Sequence, residues 1–157
     1  MDAQKLSKPL LRAIAAEASR AYPAEACGLL FARPSGELRF VPVPNVAGTA
    51  GARETSDRGQ RDGYVMDPAV LLPALEAAER AGEPLAAIVH SHPDVGAYFS
   101  EEDRDVALGG GASPLWPEVD YLVVSCKAGG VDDARLYRWD PGTRDFAETQ
   151  IADISSI

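Results

Sequence analysis

Apolar side chains recur at helical spacing in two stretches of the chain and crowd into short runs elsewhere, an alternation that outlines an α/β domain. Leu10, Leu11, Ile14, Ala15, Ala18 and Tyr22 repeat every three to four residues behind a Ser7/Pro9 start, which predicts a helix from Ser7 to a stop at Pro23. A second stripe, Val70, Leu71, Ala74, Leu75 and Ala78, follows the Asp67-Pro68 cap and runs to Gly82, with a kink allowed at Pro73. Between them, Ala26–Ala32 and Leu38–Val43 flank the turn residues Pro34-Ser35-Gly36 and read as a hairpin. Leu85 to Val89 is apolar at every position and ends at His90, the pattern of a central strand covered on both faces. Ser100 caps a third predicted helix reaching about Leu108. Tyr121–Ser125 and Leu136–Trp139 are two further strands, and the chain after Pro141 is weakly patterned. Asn45–Gly63 and Gly109–Pro117 lack apolar periodicity and read as loops; loops as long as the first are commonly functional or mobile.

No repeat or linker divides the 157 residues, so 1–157 is read as one domain with its core at about 7–140. With 24 acidic against 15 basic side chains, the net charge is −9, which disfavours nucleic acid and anionic membrane surfaces. No apolar run approaches the roughly 20 residues that span a bilayer, and no signal peptide is evident, so a cytoplasmic location is expected. Cys27 and Cys126 are too few and too far apart for a disulfide framework.

The chemistry concentrates in one segment, His90-Ser91-His92-Pro93 followed by Ser100-Glu101-Glu102-Asp103, or HSH-x7-SxxD, which holds both histidines of the chain. Residues two apart on an extended segment point the same way, so His90 and His92 can present two imidazoles to one point. Asp103, in the first turn of the next helix, can return a carboxylate to them. Two imidazoles and a carboxylate form a common catalytic zinc set whose fourth position is left to water. Ser100 and Asp103 also satisfy the cap-and-N3 relation of a helix start, an ordinary structural role that is compatible with ligation by Asp103. A hydrolytic centre of this kind needs a general base, and the upstream candidate is Glu25, although position alone does not select it. Cys27 reads as a small buried hydrophobe with no spare imidazole to activate it. Trp116 reads equally as an exposed partner contact or a lid on the core.

Glu25 before Cys27-Gly28-Leu29-Leu30, followed by HSHP and x7-SxxD, resembles the signature of the JAMM (MPN-plus) zinc metalloprotease family, with Val41-Pro42-Val43-Pro44-Asn45-Val46 similar to a segment of its small bacterial members. The likeness extends over about Ala13 to Trp139. It implies an α/β fold with a mixed sheet flanked by helices, a single MPN-like domain of cytidine-deaminase-like architecture. By position, it implies His90, His92 and Asp103 as ligands of one Zn²⁺ per chain, Glu25 as general base and acid towards a zinc-activated water, and Ser100 as support for the oxyanion. It further implies cleavage of a peptide or isopeptide bond after the C-terminal Gly-Gly of a ubiquitin-like or sulfur-carrier protein. The Asn45–Gly63 loop, with Arg53, Arg58 and Arg61, and the Gly109–Pro117 loop are the expected walls of the channel for that tail. Two alternatives stand beside this reading: a zinc hydrolase of another substrate, such as a cell-wall peptide or a phage-tail assembly target, and a non-catalytic MPN scaffold. Monomer and homodimer are both open.

Overall fold

The computed structural model describes residues 1, 5–49, 59–151 and 154. Their elements run α1 (Lys8–Ala21), β1 (Cys27–Ala32), β2 (Leu38–Val43), α2 (Pro68–Ala81), β3 (Leu85–Pro93), α3 (Glu101–Leu108), β4 (Asp120–Lys127), β5 (Gly130–Asp140) and β6 (Asp145–Gln150). The strands form one sheet in the order β2-β1-β3-β4-β5-β6. All neighbours are antiparallel except β3 and β4, which run parallel, so the sheet is mixed as expected.

Strand alternation sorts the core onto two faces. Leu30 of β1, Ala87 and Val89 of β3, and Leu122 and Val124 of β4 pack under Leu10, Leu11 and Ile14 of α1. The intervening residues point the other way. Leu29 and Phe31 meet the α2 stripe of Val70, Leu71, Ala74, Leu75 and Ala78, while Tyr121, Val123 and Tyr137 meet Phe99 and Ala107 beside α3. By the same parity, His90 and His92 fall with Ile88 on the α2/α3 face, and Ser91 falls on the α1 face. β1 and β2 approach closely: a Cβ on Gly28 would lie 2.6 Å from the Phe40 ring and 2.7 Å from the Val41 carbonyl oxygen.

Helix ends follow the sequence signals with one exception. The Asp67 carboxylate accepts from Ala69 N–H at 2.9 Å, and Gly82 ends α2 in the left-handed region at φ +66°. Pro73 lies inside α2, which continues through it. Ser7 holds the N-cap position of α1, but its hydroxyl makes no cap bond.

Three strand boundaries depart from expectation. β3 carries on through the histidines to Pro93, because β4 pairs alongside it as far as Cys126. β5 begins at Gly130, well before Leu136. The segment after Pro141, read as weakly patterned, forms the edge strand β6, which pairs only with β5. An edge strand facing solvent needs few apolar residues, and Asp145-Phe-Ala-Glu-Thr-Gln has one large one. Among the described residues, no helix is long and apolar enough to cross a membrane.

Candidate metal centre

The last turn of the central strand carries the site. In register, β3 lies between β1 and β4, so His90 sits opposite Cys27 on one side and Val123 on the other. The alternation of β3 therefore brings both imidazoles out side by side at the sheet's buried end, and their Nε2 atoms stand 3.2 Å apart. The capping box of α3 supplies the third group. Ser100 N–H and Ser100 Oγ–H donate to Asp103 Oδ2 at 2.8 and 2.7 Å, and Asp103 N–H donates back to Ser100 Oγ at 3.1 Å. So held, the carboxylate places Oδ1 3.1 Å from His90 Nε2 and Oδ2 3.3 Å from His92 Nε2.

These separations fit one tetrahedral ion. Donors about 2.0–2.1 Å from a central metal at tetrahedral angles lie about 3.3–3.4 Å from one another. The Nε2–Nε2 separation of 3.2 Å is within a few tenths of an ångström of that, and each Nε2 lies equally close to one oxygen of the Asp103 carboxylate, at 3.1 Å for His90 and 3.3 Å for His92. Tautomer chemistry agrees. His92 Nδ1 lies 3.1 Å from the Gly96 carbonyl oxygen, which can only accept, so Nδ1 carries a hydrogen and Nε2 is the nitrogen that would give up its proton to hold a metal. His90, Ser91 and His92 are all buried, so a cation here would be largely shielded from water.

The electrostatics favour positive charge at this centre. Burial alone would raise the Asp103 carboxyl, yet the charge of His90 and hydrogen bonds from both imidazoles and Ser100 hold it well below the usual carboxylate range. Burial would lower His92, but the hydrogen bond and charge of Asp103, with a further contribution from Glu25, hold it above the usual imidazole value. Glu25 is itself only 6% exposed and lines the same cavity as His92, Ser100 and Asp103.

Residues 7–139 match the family described as prokaryotic homologs of the JAB domain. The chain belongs to that family. It is 34% identical to a desampylase of Haloferax volcanii over 134 residues, covering 83% of this chain and 78% of the relative. It is 32% identical to a CysO-cysteine peptidase of Mycobacterium tuberculosis over 129 residues, 82% of this chain and 77% of that one. A protein of Desulfitobacterium hafniense solved in solution superposes with a TM-score of 0.66 at 25% identity, covering 93% of this chain and 89% of its own. By family and by these relatives, the chain is a JAB-type peptidase.

The JAB cavity measures about 230 Å³. One wall is Asp62, Gly63, Tyr64 and Val65; the other is α3, through Glu102, Asp105 and Val106, where the Gly109–Pro117 loop was expected. That loop instead folds back on the end of α3, Leu115 N–H donating to the Ala107 carbonyl at 2.9 Å. Of the first expected wall, Arg53 and Arg58 lie outside the described residues, while Arg61 reaches Asp94 at 3.8 Å. Trp116 lies at the surface, 37% exposed.

Cys27 is buried at the start of β1. Its thiol is directed at the Val43 carbonyl at 3.2 Å, and burial, reinforced by the charge of Glu25, pushes it up to about 12.

Two residues to which pattern reading gave no role pack around these groups. Tyr64 stacks on the His90 ring with centroids 4.8 Å apart and planes at 24°. Asn45 holds the segment that carries Tyr64. An aromatic residue just before the Asp67-Pro68 cap was the available signal for Tyr64. For Asn45 it was a lone polar amide directly after the Pro44 that closes β2.

Ser100 reaches the cavity, but in this arrangement its hydroxyl hydrogen is committed to Asp103. Ser100→Ala removes both the cap of α3 and that bond. It should lower stability by about 1 kcal/mol in denaturant titration and weaken metal affinity about tenfold in chelator competition. Unchanged values for both would remove the holding role.

Proposed function

We propose that this chain is a zinc-dependent peptidase that hydrolyses the peptide or isopeptide bond after the C-terminal Gly-Gly of a ubiquitin-like or sulfur-carrier protein. The observation that carries it is the cluster of His90 Nε2, His92 Nε2 and the Asp103 carboxylate, with contacts of 3.1–3.3 Å, whose His92 and Asp103 line one cavity with the buried Glu25. The donor set of two imidazoles and one carboxylate suits zinc and leaves a tetrahedral position open. When bound there, zinc supplies Lewis acidity, drawing the pKa of water towards about 7 and polarising a carbonyl.

The chain's own residues do the rest. Glu25 takes the proton of the attacking water and delivers it to the leaving amine nitrogen, so one carboxylate acts first as base and then as acid. Asp103 stays fixed through the capping box and His92 through the Gly96 carbonyl. Ser100 serves by holding Asp103, and it supports the oxyanion only if its hydroxyl turns from Asp103 towards the substrate. A complete ligand set beside a buried carboxylate weighs against a purely scaffolding role.

The substrate class follows from size and kinship. At about 230 Å³, the cavity falls below the roughly 300–1,000 Å³ of sites that take drug-sized ligands, so the part of a substrate that reaches the ligands must be slim. Two glycines meet that requirement, since they lack side chains and allow close backbone approach. The names of the relatives, a desampylase and a CysO-cysteine peptidase, support a protein-tail substrate.

The test is a carrier protein ending in Gly-Gly, fused to a passenger and incubated with the zinc-loaded chain. Mass spectrometry should find release after the second glycine, abolished by 1,10-phenanthroline and restored by zinc. Release that ignores the chelator would sink the zinc mechanism. A carrier left intact while an unrelated peptide is cut would sink the substrate class.

A further inference from the structure

Asn45 uses its whole side-chain amide. Its Nδ2 hydrogens go to the Glu25 carbonyl at 3.0 Å and the Gly63 carbonyl at 3.0 Å. Its Oδ1 accepts from Ala47 N–H and Val65 N–H, each at 3.0 Å. Two donors and two acceptor sites are the full capacity of a primary amide. The main chain closes the arrangement: Gln60 Nε2 donates to the Asn45 carbonyl at 2.8 Å, Glu25 N–H donates to the Gln60 carbonyl at 2.6 Å, and Asn45 bridges Met66.

The two segments joined here are the two that flank the metal ligands. Glu25 is gripped at both ends of its main chain, N–H by Gln60 and carbonyl by Asn45. Gly63 and Val65 bracket Tyr64, whose ring lies flat on His90. That stack matters because His90 Nδ1 is buried and has no hydrogen-bond partner among the described residues, unlike His92 Nδ1 on Gly96. With only its Nε2 edge facing Asp103 and His92, the far side of the His90 ring is oriented by packing, and Tyr64 covers one face of it.

We propose that Asn45 is a positioning residue that sets the general base and the His90 ring together, through the Glu25 main chain on one side and Tyr64 on the other. The base half rests on the reading of Glu25 given above; the His90 half does not. Metal-ligand orientation and base placement are thus coupled through one amide, and no neutral side chain of the same size can replace it. Asp keeps the acceptors for Ala47 and Val65 and loses both donations.

The test compares N45A, N45D, Y64L and the N45A/Y64L double variant with the parent protein. Zinc affinity is read by chelator competition, and kcat and KM are read at saturating zinc on a Gly-Gly-containing peptide. N45A is expected to weaken zinc about tenfold, the order seen when a partner behind a ligand is removed, and to lower kcat by at least as much, with KM moving less than threefold. Y64L should match the zinc loss. The double variant should bind zinc no worse than either single one, because both act on His90 along one path. N45D should lose turnover by about the same factor as N45A, and it carries the test alone if N45A does not fold. Normal zinc affinity and kcat in a folded variant with only a lowered Tm would overturn the proposal, as would additive zinc losses in the double variant. If E25Q turns over at the parent rate, the base reading fails. The zinc measurements and the double variant then still decide whether Asn45 sets His90.

Discussion

His90→Ala is expected to fold, to hold far less than one zinc per chain and to release no passenger above background. Loss of a hydrogen-bond partner behind a ligand commonly weakens metal binding 10–100-fold, so loss of one of three protein ligands sets that as a floor. The geometry leaves no substitute, because His90 and His92 are the only imidazoles in the chain and Asp103 already spans both of them. Binding linkage provides a readout independent of activity. Zinc at a hundred times its Kd stabilises the folded state by about 2.7 kcal/mol, which for a chain of this length corresponds to a rise in Tm of about 5–10 °C. The parent should show that rise and His90→Ala should not. His92→Ala should behave alike, with milder loss of packing, because its ring lies nearer the surface than the fully buried His90. A His90→Ala protein that retains about one zinc per chain and the full thermal shift would mean the metal sits elsewhere.

What made the centre legible is that the local codes in this stretch agree. An all-apolar strand, two histidines in alternate positions and a Ser-x-x-Asp helix start each prescribe their geometry over a few residues. Their sum brings two imidazoles and a carboxylate together without long-range information. The two-faced core was legible for the same reason: Leu29 against Leu30, and Val123 against Val124, follow from strand parity alone. What escaped depends on partners distant in sequence. β6 is a strand because β5 offers it an edge, and nothing in Asp145–Gln150 declares it. The second cavity wall is α3 because the Gly109–Pro117 loop folds back on Ala107 and contributes no residue to the cavity. Asn45 and Tyr64 lie 20 and 39 residues beyond Glu25, and their importance exists only once the amide has joined three segments. Glu25 falls between these cases. It has the right chemistry but no local code, and only family resemblance and then the cavity singled it out.

Glu25→Gln is expected to keep the zinc and the fold while losing turnover, the combination that separates a proton-transfer group from a ligand. The amide matches the carboxylate in shape, so the buried main-chain contacts to Asn45 and Gln60 are undisturbed. It cannot accept a proton from water at neutral pH. A positioned general acid–base contributes about 10²–10⁴ in rate, so kcat should fall by that factor, about 2.7–5.5 kcal/mol on the barrier. KM should move little, because proton transfer is needed only as the reaction proceeds. Two electrostatic effects on the metal oppose each other. Removing the Glu25 charge withdraws an anion from beside the cation, which weakens binding. It also withdraws part of what favours protonated His92, which strengthens binding. Occupancy at saturating zinc should therefore stay near one per chain, and His90→Ala provides the contrast. Glu25→Asp refines the result: it keeps a proton acceptor but draws it back by a methylene, so turnover should be partly restored if reach to the water is what matters. Parent-like turnover in Glu25→Gln would show that the proton goes elsewhere and would return Glu25 to a structural role at the entrance of β1.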